Sequence, residues 1–251
     1  MPALNEEKNI KSAVEDSFKA TDFFCINSEV IVINDGSKDN TPVIVEKLKK
    51  DYPDLRMITH KSPMGIGHSF WDGVQNADGE VVVMFPGDNE NDPYETLQYF
   101  DLMNRVDIIV PYIFNKNVRH LLRRLISRIY RFIINFSFGI NLNYTNGTVM
   151  YRKCVFDNIK LESKGFFYQA ELLIKTIRTG YIFAEVPCSL GQRSSGKSKA
   201  VSLKSMLRVM KGYLRMFFKL HLRIIGHGKI SKDSISYQKR SFTYNYIKNK
   251  D

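Results

Sequence analysis

The sequence predicts an α/β protein with a mostly parallel sheet that is covered by helices on both faces. Over residues 1–111, short runs of Val and Ile alternate with segments of helical periodicity. Strands that are apolar throughout are typical of parallel sheets buried on both faces, and the intervening helices are typical of the connections that such sheets need. Polar loops follow two of these strands, which predicts a binding site at the carboxyl edge of the sheet.

The first half of the chain is predicted to contain four strands and four helices. Apolar runs bounded by turn residues predict strands at 29–34 (EVIVIN), 55–59, 80–85 (EVVVMF) and 106–110 (VDIIV). Apolar residues spaced by three and four predict helices at 7–19, 41–50 and 67–77, and a fourth that begins at Pro93. In the second of these helices we expect Thr41 as the N-cap and Pro42 in the first turn.

The second half is predicted to be richer in helices. We expect helices at 118–138, 166–179 and 203–225, strands at 148–151 and 182–186, and a Gly/Ser/Lys loop at 191–199. The last helix has an apolar body and one broad stripe of cations: Lys204, Arg208, Lys211, Arg215, Lys219 and Arg223. This pattern is typical of a helix that lies in a membrane interface, although a helix packed on its own domain with a solvated basic edge would show it too. The tail from residue 231 is polar, and we expect it to be poorly ordered.

Charge is distributed very unevenly along the chain. Residues 1–107 hold 20 acidic and 10 basic residues, whereas residues 108–251 hold 6 acidic and 27 basic residues. Such asymmetry indicates an anionic partner for the second half, namely nucleic acid, phosphates or acidic lipid headgroups, or else a solvated basic surface. Aromatic residues do not alternate with basic residues as they do in a nucleic-acid-binding sheet, and the cationic residues lie on apolar helices. We therefore expect no nucleic-acid partner.

Targeting and cysteine signals are weak. The first residues show no apolar segment typical of a secretory signal, and the chain contains no uncharged apolar run of the roughly 20 residues that span a bilayer. The three cysteines, Cys25, Cys154 and Cys188, are far apart in sequence and lack metal-ligand spacing. We therefore expect a cytoplasmic protein with reduced, ordinary buried thiols.

Four short polar segments have an order and spacing that make sense together. They are residues 2–6 (PALNE), 35–41 (DGSKDNT) after the strand 30–34, 86–93 (PGDNENDP) and 193–199 (RSSGKSK). Alone, each is ambiguous, because such residues also form turns, solvated loops and helix N-termini, as Asp92 before Pro93 could. Together, with Gly65, Gly67, residues 165–167, Glu171 and residues 185–187, they resemble glycosyltransferase family 2, in its dolichol-phosphate mannose synthase-like branch.

The resemblance implies a GT-A (Rossmann-like) fold and an inverting transfer of sugar from a UDP- or GDP-sugar to a polyprenyl phosphate. It divides the chain into a catalytic domain at 1–200, with a nucleotide-binding half at 1–111 and an acceptor-binding half at 112–200. A membrane-interface helix at 201–227 and the polar tail at 228–251 follow. It further implies a protein peripheral to the cytosolic face of a membrane, with an anionic lipid surface and, as a further possibility, a membrane protein as partners.

The implied site has three parts. The nucleotide-sugar pocket comprises Pro2, Glu6, Asp35, Ser37, Asp39, Asp88, Arg193 and Lys199, and Asp88 and Arg193 are the expected catalytic residues. A Mg²⁺ or Mn²⁺ ion on the diphosphate is expected at Asp88 and Glu90, which are two residues apart and can converge in an extended loop. The family usually has Asp-x-Asp at this loop, and here Pro86 stands at the position of the first Asp.

The acceptor is inferred from what the sequence lacks. Relatives that glycosylate a sugar hydroxyl need a general base, and they usually carry a Glu-Asp pair and a Gln-x-x-Arg-Trp motif. The single tryptophan, Trp71, lies elsewhere, and the second half contains no Glu-Asp pair. Arg119, Arg123 and Arg131 on the basic helix suit a lipid phosphate, although they could instead anchor the helix at the interface without touching the acceptor.

The beginning of the chain departs from the family pattern. A strand normally precedes the Pro-x-x-Asn-Glu motif, whereas this sequence reaches the motif at Pro2. We therefore expect the first strand to be missing, neighbouring backbone groups to lack partners, and the chain as printed to be poorly stable. Alternatives to a lipid-linked transferase are a catalytically silent nucleotide-sugar-binding or scaffold protein of the same fold, and a transferase that acts on a sugar hydroxyl.

Overall fold

The structure is a computed structural model, and it describes residues 1–115, 121–189, 203–222 and 228–248. Its strands are β1 (Pro2–Ala3), β2 (Val30–Asn34), β3 (Leu55–Thr59), β4 (Val81–Val83), β5 (Ile108–Ile113), β6 (Met150–Arg152) and β7 (Phe183–Cys188). Its helices are α1 (Ile10–Phe23), α2 (Thr41–Leu48), α3 (Ile66–Asn76), α4 (Pro93–Leu97), α5 (Leu121–Phe138), α6 (Tyr168–Thr179), α7 (Leu203–His221) and α8 (Ile235–Lys248). The predicted α/β class is confirmed.

The strands form two sheets, and strands and helices alternate along much of the chain, as predicted. The first sheet has the order β1-β2-β3 and is entirely parallel, and the second has the order β4-β6-β5-β7. β6 pairs antiparallel with both β4 and β5, whereas β5 and β7 are parallel. Parallel pairing therefore predominates, and the antiparallel strand β6 belongs to the basic second half of the chain.

The N-terminal segment pairs with β2 as the first strand of the parallel sheet. Pro2 and Ala3 pair in register with Ile33 and Asn34 of β2. The amide of Ile33 donates to the carbonyl of Met1 (2.8 Å), and the amide of Asp35 donates to that of Ala3 (2.8 Å). The expectation that β2 lacks partners on this side is therefore wrong at these positions, because two residues of extended chain suffice to pair them.

A large apolar core joins the two sheets. It includes the buried rings of Phe70 on α3, Tyr151 on β6, Phe156 after β6 and Tyr168 on α6, whose centroids lie 5.2–6.5 Å apart in the pairs that touch. Because Phe70 belongs to the first parallel unit and Tyr151 to the second sheet, this cluster fixes one unit against the other. A separate core of Ile10, Val14, Val32 and Val45 lies between the first sheet and helices α1 and α2.

Helix α7 packs on the domain through one face and exposes a second apolar face. The residues packed against the core are Val209, Tyr213, Met216, Phe217 and Leu220. The exposed apolar residues are Met206, Leu207, Met210, Leu214 and Phe218, and Leu222 follows directly after the helix. The two interpretations of this helix are therefore compatible, since one stripe covers the protein core and another, beside the cations, faces outward.

Two local expectations are corrected. The N-cap of α2 is Asn40, not Thr41, because the Thr41 hydroxyl is used elsewhere and bonds to the Asp39 carboxylate (2.6 Å). The thiols are free as expected, but they are not all buried: Cys25 is exposed, Cys154 is half-buried and Cys188 is buried.

The polar tail is ordered as helix α8, which contradicts the expected disorder. Asp107, at 0% exposure, accepts from the amides of Ile235 (2.8 Å) and Ser236 (2.9 Å) and from the Ser236 hydroxyl. Ser234 is a second cap, since its hydroxyl oxygen accepts from the amide of Tyr237 (3.1 Å). These long-range bonds satisfy the first turn of a polar helix that has no strong apolar pattern of its own.

We expect Asp107→Ala to lower the free energy of unfolding by about 3 kcal/mol, because buried donors at the start of α8 lose their acceptor. Urea denaturation measures this change. The matched control is Asp233→Ala, which removes an exposed carboxylate from the same turn and should change stability by no more than about 0.5 kcal/mol. Equal stabilities of the two variants would show that Asp107 does not hold the helix.

Candidate functional site

The candidate site begins where β1, β2 and the loop after β4 meet. The amide of Gly87 donates to the carbonyl of Pro2 (2.9 Å), so the acidic loop is attached to β1. A Cβ at Gly87 would lie 3.0 Å from the Ile10 side chain and 3.1 Å from that of Ala3, so this close approach depends on glycine. Since Pro2 pairs beside Ile33, the acidic loop and the loop after β2 lie at the same edge, as predicted.

The segments 5–7 and 37–41 are held together by side-chain to backbone hydrogen bonds. The Ser37 hydroxyl accepts from the amide of Asn5 (3.0 Å), and Asp39 accepts from the amides of Glu7 (3.0 Å) and Thr41 (3.0 Å). Burial alone would raise the pKa of Asp39, but these bonds and the Thr41 hydroxyl outweigh it and lower the pKa. Ser37 and Asp39, which were predicted to belong to a nucleotide pocket, thus hold these two loops together.

Hydrogen bonds between residues 5–7 and the loop after β2 run in both directions. The Asn5 side chain, in a left-handed backbone conformation (φ 55°), accepts from the amide of Lys38 (2.8 Å). The amide of Glu6 donates to the Thr41 hydroxyl (2.8 Å), and the Glu6 carboxylate accepts from Asn9 (2.9 Å). Asn5, absent from the predicted site, therefore holds these two segments in place; its position before the predicted residue Glu6 was the available signal.

Asp35 is the most enclosed carboxylate of this edge, with 5% of its surface exposed. It accepts from the amides of Met64 (2.7 Å) and Gly65 (2.9 Å) and bonds to Nδ1 of His60 (2.7 Å). Burial alone would raise its pKa, but these bonds and the charge of His60 prevail and lower the pKa. An ionised Asp35 therefore holds the segment from β3 to α3 against the end of β2.

His60 is a residue that sequence analysis missed. It directly follows β3, and its ring lies between two carboxylates, with Nδ1 at 2.7 Å from Asp35 and Nε2 at 2.8 Å from Asp72. Burial lowers the pKa of His60, but its bonds to both carboxylates prevail and raise it. Its position at the carboxyl end of a predicted strand was the available signal, although nothing in the sequence pairs it with Asp72.

The Gly65-x-Gly67 segment contacts the second half of the molecule at very short range. The amide of Gly67 donates to the carbonyl of Lys164 (2.9 Å). The opposing segment is held by Glu171, a buried carboxylate that accepts from the amides of Glu162 and Ser163 (both 2.9 Å). The structure therefore gives Glu171, which was noted only as part of the family pattern, a role in positioning the glycine segment.

The acidic loop presents two carboxylates of different exposure. Asp88 is half-buried and accepts from the amide of Glu90 (3.2 Å), whereas Glu90 is exposed. Asn89, between them, is in a left-handed conformation (φ 54°) and bonds to Asp16 on α1 (3.0 Å). Asp92 caps α4 by accepting from the amide of Tyr94 (2.9 Å), which confirms the helix-terminus interpretation for that residue.

An open cleft lies between the acidic loop and the segment before β6. One wall carries Glu90, Asn91, Asp92 and Glu95, and the other carries Tyr144, Asn146, Gly147 and Thr148. The second wall is fixed by Glu185, which accepts from the amide and the side chain of Asn143 (2.6 and 3.0 Å). The 144–148 wall was not predicted from the sequence, because only the fold brings it opposite the acidic residues.

Three arginines were predicted to bind the acceptor phosphate, and Arg131 is the one whose side chain lies within the residues that the structure describes. Its guanidinium, half-buried on α5, donates to the carbonyl of Asn143 (3.1 Å), next to the cleft wall at Tyr144. Arg119, Arg193 and Lys199 lie outside the described residues, as do the side chains of Arg123 and Lys204 and the whole of Arg223. Their predicted roles remain predictions.

The sheet topology, the polar loops at the strand ends and the acidic loop beside them define a GT-A glycosyltransferase fold. The chain belongs to glycosyl transferase family 2, whose sequence pattern it matches over residues 1–159.

Two relatives illustrate the similarity in sequence. Polyprenol monophosphomannose synthase of Mycolicibacterium smegmatis is 27% identical over 212 residues, which cover 79% of this chain and 78% of the relative. A dolichyl-phosphate beta-glucosyltransferase of Trichomonas vaginalis is 31% identical over 105 residues, which cover 39% of this chain and 31% of the relative. The chain is thus related to synthases of polyprenyl-phosphate sugars.

Solved structures of glucosyl-3-phosphoglycerate synthase from Mycobacterium tuberculosis share the fold. Its complex with uridine diphosphate has a TM-score of 0.65 at 18% identity and covers 86% of this chain and 78% of that one. Its complex with Mn²⁺, uridine diphosphate and phosphoglyceric acid has a TM-score of 0.62 at 19% identity, covering 86% and 76%. At this level of identity the likeness establishes the fold alone.

We expect Gly67→Ala to destabilise the protein by about 2 kcal/mol, as overpacking does. The new methyl group would overlap the carbonyl oxygen of Ser163 and lie 2.8 Å from Cβ of Tyr168. Thermal and urea unfolding measure the change. Gly165→Ala is the matched control, because a Cβ there has no atom within 4 Å, and an equal loss in both variants would contradict the close-approach argument.

Proposed function

We propose that this protein transfers a hexose, with inversion, from a UDP- or GDP-sugar to a polyprenyl phosphate at the cytosolic face of a membrane. The observation that carries the proposal is the attachment of the acidic loop to β1, beside the nucleotide-side loops, since the amide of Gly87 donates to the carbonyl of Pro2 (2.9 Å). A nucleotide bound at one edge would thereby reach Asp88. The relatives named as polyprenyl-phosphate sugar synthases support the choice of acceptor.

The nucleotide part of the donor is assigned to Pro2, Glu6, Asp35, Ser37 and Asp39. A carboxylate offers about four acceptor positions, and three protein donors already bond to Asp35. We therefore expect Asp35 to shape the pocket and to keep one acceptor position for a ribose hydroxyl or the base. Ser37 and Asp39 would act in a similar way, as the rigid wall against which the nucleoside binds.

Asp88 and Glu90 fit a divalent cation by their chemistry. Both offer carboxylate oxygens within one tight turn of the acidic loop, and Mg²⁺ and Mn²⁺ favour oxygen ligands that are completed by phosphates. The cation would supply Lewis acidity that stabilises the charge on the departing nucleoside diphosphate. Arg193 and Lys199 would add positive charge to the same leaving group.

The acceptor phosphate needs no general base, because it is already anionic at neutral pH. In the proposed step, a phosphate oxygen forms a bond to the anomeric carbon from the side opposite the diphosphate. The bond to the nucleoside diphosphate breaks, and its oxygen takes the electron pair. Arg119, Arg123 and Arg131 would hold the acceptor, and the bond of Arg131 to Asn143 supports a phosphate position near the cleft.

The lipid acceptor requires a surface that meets a membrane, and α5 and α7 are suited to form it. The two helices are in contact, since the hydroxyls of Ser137 and Tyr213 lie 2.8 Å apart. On α5 the exposed apolar residues are Leu121, Leu125, Ile126, Ile129, Phe132, Ile133 and Phe136. Exposed cations, among them Arg128, Arg208 and Lys211, accompany them. Apolar residues beside cations favour an anionic interface. No helix of the described residues is long and apolar enough to cross a bilayer.

The activity is tested by a donor screen with the full chain, Mg²⁺ or Mn²⁺, polyprenyl phosphate and a panel of UDP- and GDP-sugars, with detection of the glycolipid. We expect one donor to be used, and we expect Asp88→Ala or removal of the cation to lower the rate about 100-fold or more. Asp101→Ala, which alters an exposed carboxylate on another surface, should be as active as the wild type.

The same screen separates the alternatives. Donor binding without turnover by any acceptor would support a catalytically silent protein and contradict the proposal. A product on phosphoglyceric acid or on a sugar hydroxyl, with none on the lipid, would contradict the proposed acceptor.

Membrane docking is tested by flotation with liposomes. We expect binding to anionic vesicles, and we expect Phe136→Glu and Leu214→Glu each to weaken it about tenfold, because an apolar side chain leaves the interface. Val43→Glu, at an exposed apolar position of α2, is the control and should bind normally. Binding to nucleic acid at the same salt concentration, without flotation, would contradict a membrane surface.

A further inference from the structure

Two histidines and an aspartate converge at the end of β3, in a cluster that no part of the proposed reaction uses. Within residues 1–115, 121–189, 203–222 and 228–248, the one group of three or more His, Cys, Asp or Glu side chains with ligand atoms within 4.8 Å of one another is His60, His68 and Asp72. Asp88 and Glu90 of the acidic loop are not part of it. The cluster is therefore distinct from the proposed Mg²⁺ or Mn²⁺ position.

The three side chains lie within reach of one small cation. Nε2 of His60 lies 2.8 Å and Nε2 of His68 lies 3.5 Å from the same Asp72 oxygen. Two ligands about 2.0–2.1 Å from a tetrahedral zinc ion lie about 3.3 Å apart. The His68 separation exceeds the usual range of a nitrogen–oxygen hydrogen bond and is close to the distance between two ligands of one ion. The His60 separation is that of a hydrogen bond, so His60 and Asp72 would move apart by about 0.5 Å around an ion.

The backbone fixes all three positions. His68 and Asp72 are one turn apart on α3, so their side chains share a face. His60 extends the β3 pairing, since its amide donates to the carbonyl of Asn34 (2.9 Å). Asp72 and His68 are accessible, with exposed fractions of 24% and 30%, whereas His60 is largely enclosed, at 10%.

Asp35 supplies the outer contact that metal-binding histidines usually have. Its carboxylate accepts from Nδ1 of His60 at 2.7 Å, so Nδ1 carries the hydrogen and Nε2 is the nitrogen that faces Asp72 and His68. Carboxylate–histidine–metal arrangements of this kind fix the ring orientation and make the imidazole a better ligand. A histidine that merely filled a surface position would not need this support.

We propose that His60, His68 and Asp72 form a binding site for Zn²⁺ or a similar borderline divalent cation. Two imidazoles and one carboxylate favour zinc over Mg²⁺, which prefers oxygen ligands. Three protein ligands leave a fourth position for water or a ligand atom. A bound ion would link β3 to α3 and hold His60 against Asp35, which stabilises the loop at Met64 and Gly65.

The experiment measures zinc binding by calorimetry on the tag-free chain in excess Mg²⁺, which occupies oxygen-rich sites. A Cys25→Ser background removes an exposed thiol that would itself bind zinc. We expect one zinc ion per chain, a zinc-dependent rise in melting temperature, and with Co²⁺ the absorption spectrum of a tetrahedral site.

Variants identify the ligands. His68→Ala, His68→Gln and Asp72→Asn should each weaken zinc affinity about tenfold or more, since loss of an outer contact alone has an effect of that size. Circular dichroism checks that each variant is folded. His221→Ala, an exposed histidine on α7, and Asp88→Ala should bind zinc as the background does.

Two results would overturn the site. One is the absence of stoichiometric zinc in excess Mg²⁺, which would make the cluster a hydrogen-bonded network only. The other is unchanged affinity in folded His68→Ala and Asp72→Asn. The readouts here are zinc binding and stability, which are independent of the transferase assay. Failure of one proposal therefore does not decide the other.

Discussion

The arrangement of the loops at the carboxyl edge of the first sheet depends on one buried anion. Asp35 is almost inaccessible to solvent, and burying a carboxylate is costly unless donors surround it. Here the donors are His60 and the amides of Met64 and Gly65, all from the connection between β3 and α3. That connection therefore folds over the end of β2. Loss of any one donor would leave a charged group poorly solvated, so the geometry of this edge is strongly specified.

The connection between β3 and α3 also contacts the second half of the chain. Gly67 contacts the segment at Ser163 and Lys164 so closely that a methyl group does not fit. Glu171 holds the same segment from the side of α6. The edge that holds Asp35 and the second half of the chain are thus joined by backbone contacts and buried carboxylates. A rigid junction of this kind suits a reaction in which two substrates must meet at a fixed distance.

The charge asymmetry has a structural counterpart. Carboxylates of the first half, such as Asp35, Asp39 and Asp88, gather at the strand ends, where they accept hydrogen bonds from backbone amides. Several basic residues of the second half, among them Arg128, Arg208 and Lys211, lie on α5 and α7 beside exposed apolar side chains. The proposed transfer uses both, since the donor requires oxygen ligands for its cation, and a lipid phosphate requires cations at a membrane surface.

The sequence by itself determined the α/β class, most strands, the family and the gathering of polar loops at one edge, because these follow from short continuous apolar runs, from helical periodicity and from short motifs. It predicted residues 55–59 as a strand, matching β3 (Leu55–Thr59). It did not predict β6 as antiparallel, α8 as ordered, or His60 beside Asp72. Only the tertiary structure decided these, because each depends on partners distant in the chain: β6 lies between β4 and β5, α8 begins on Asp107, and His60 meets a helix face. Such contacts arise when buried polar groups find donors and acceptors across the fold, and a linear pattern does not encode them.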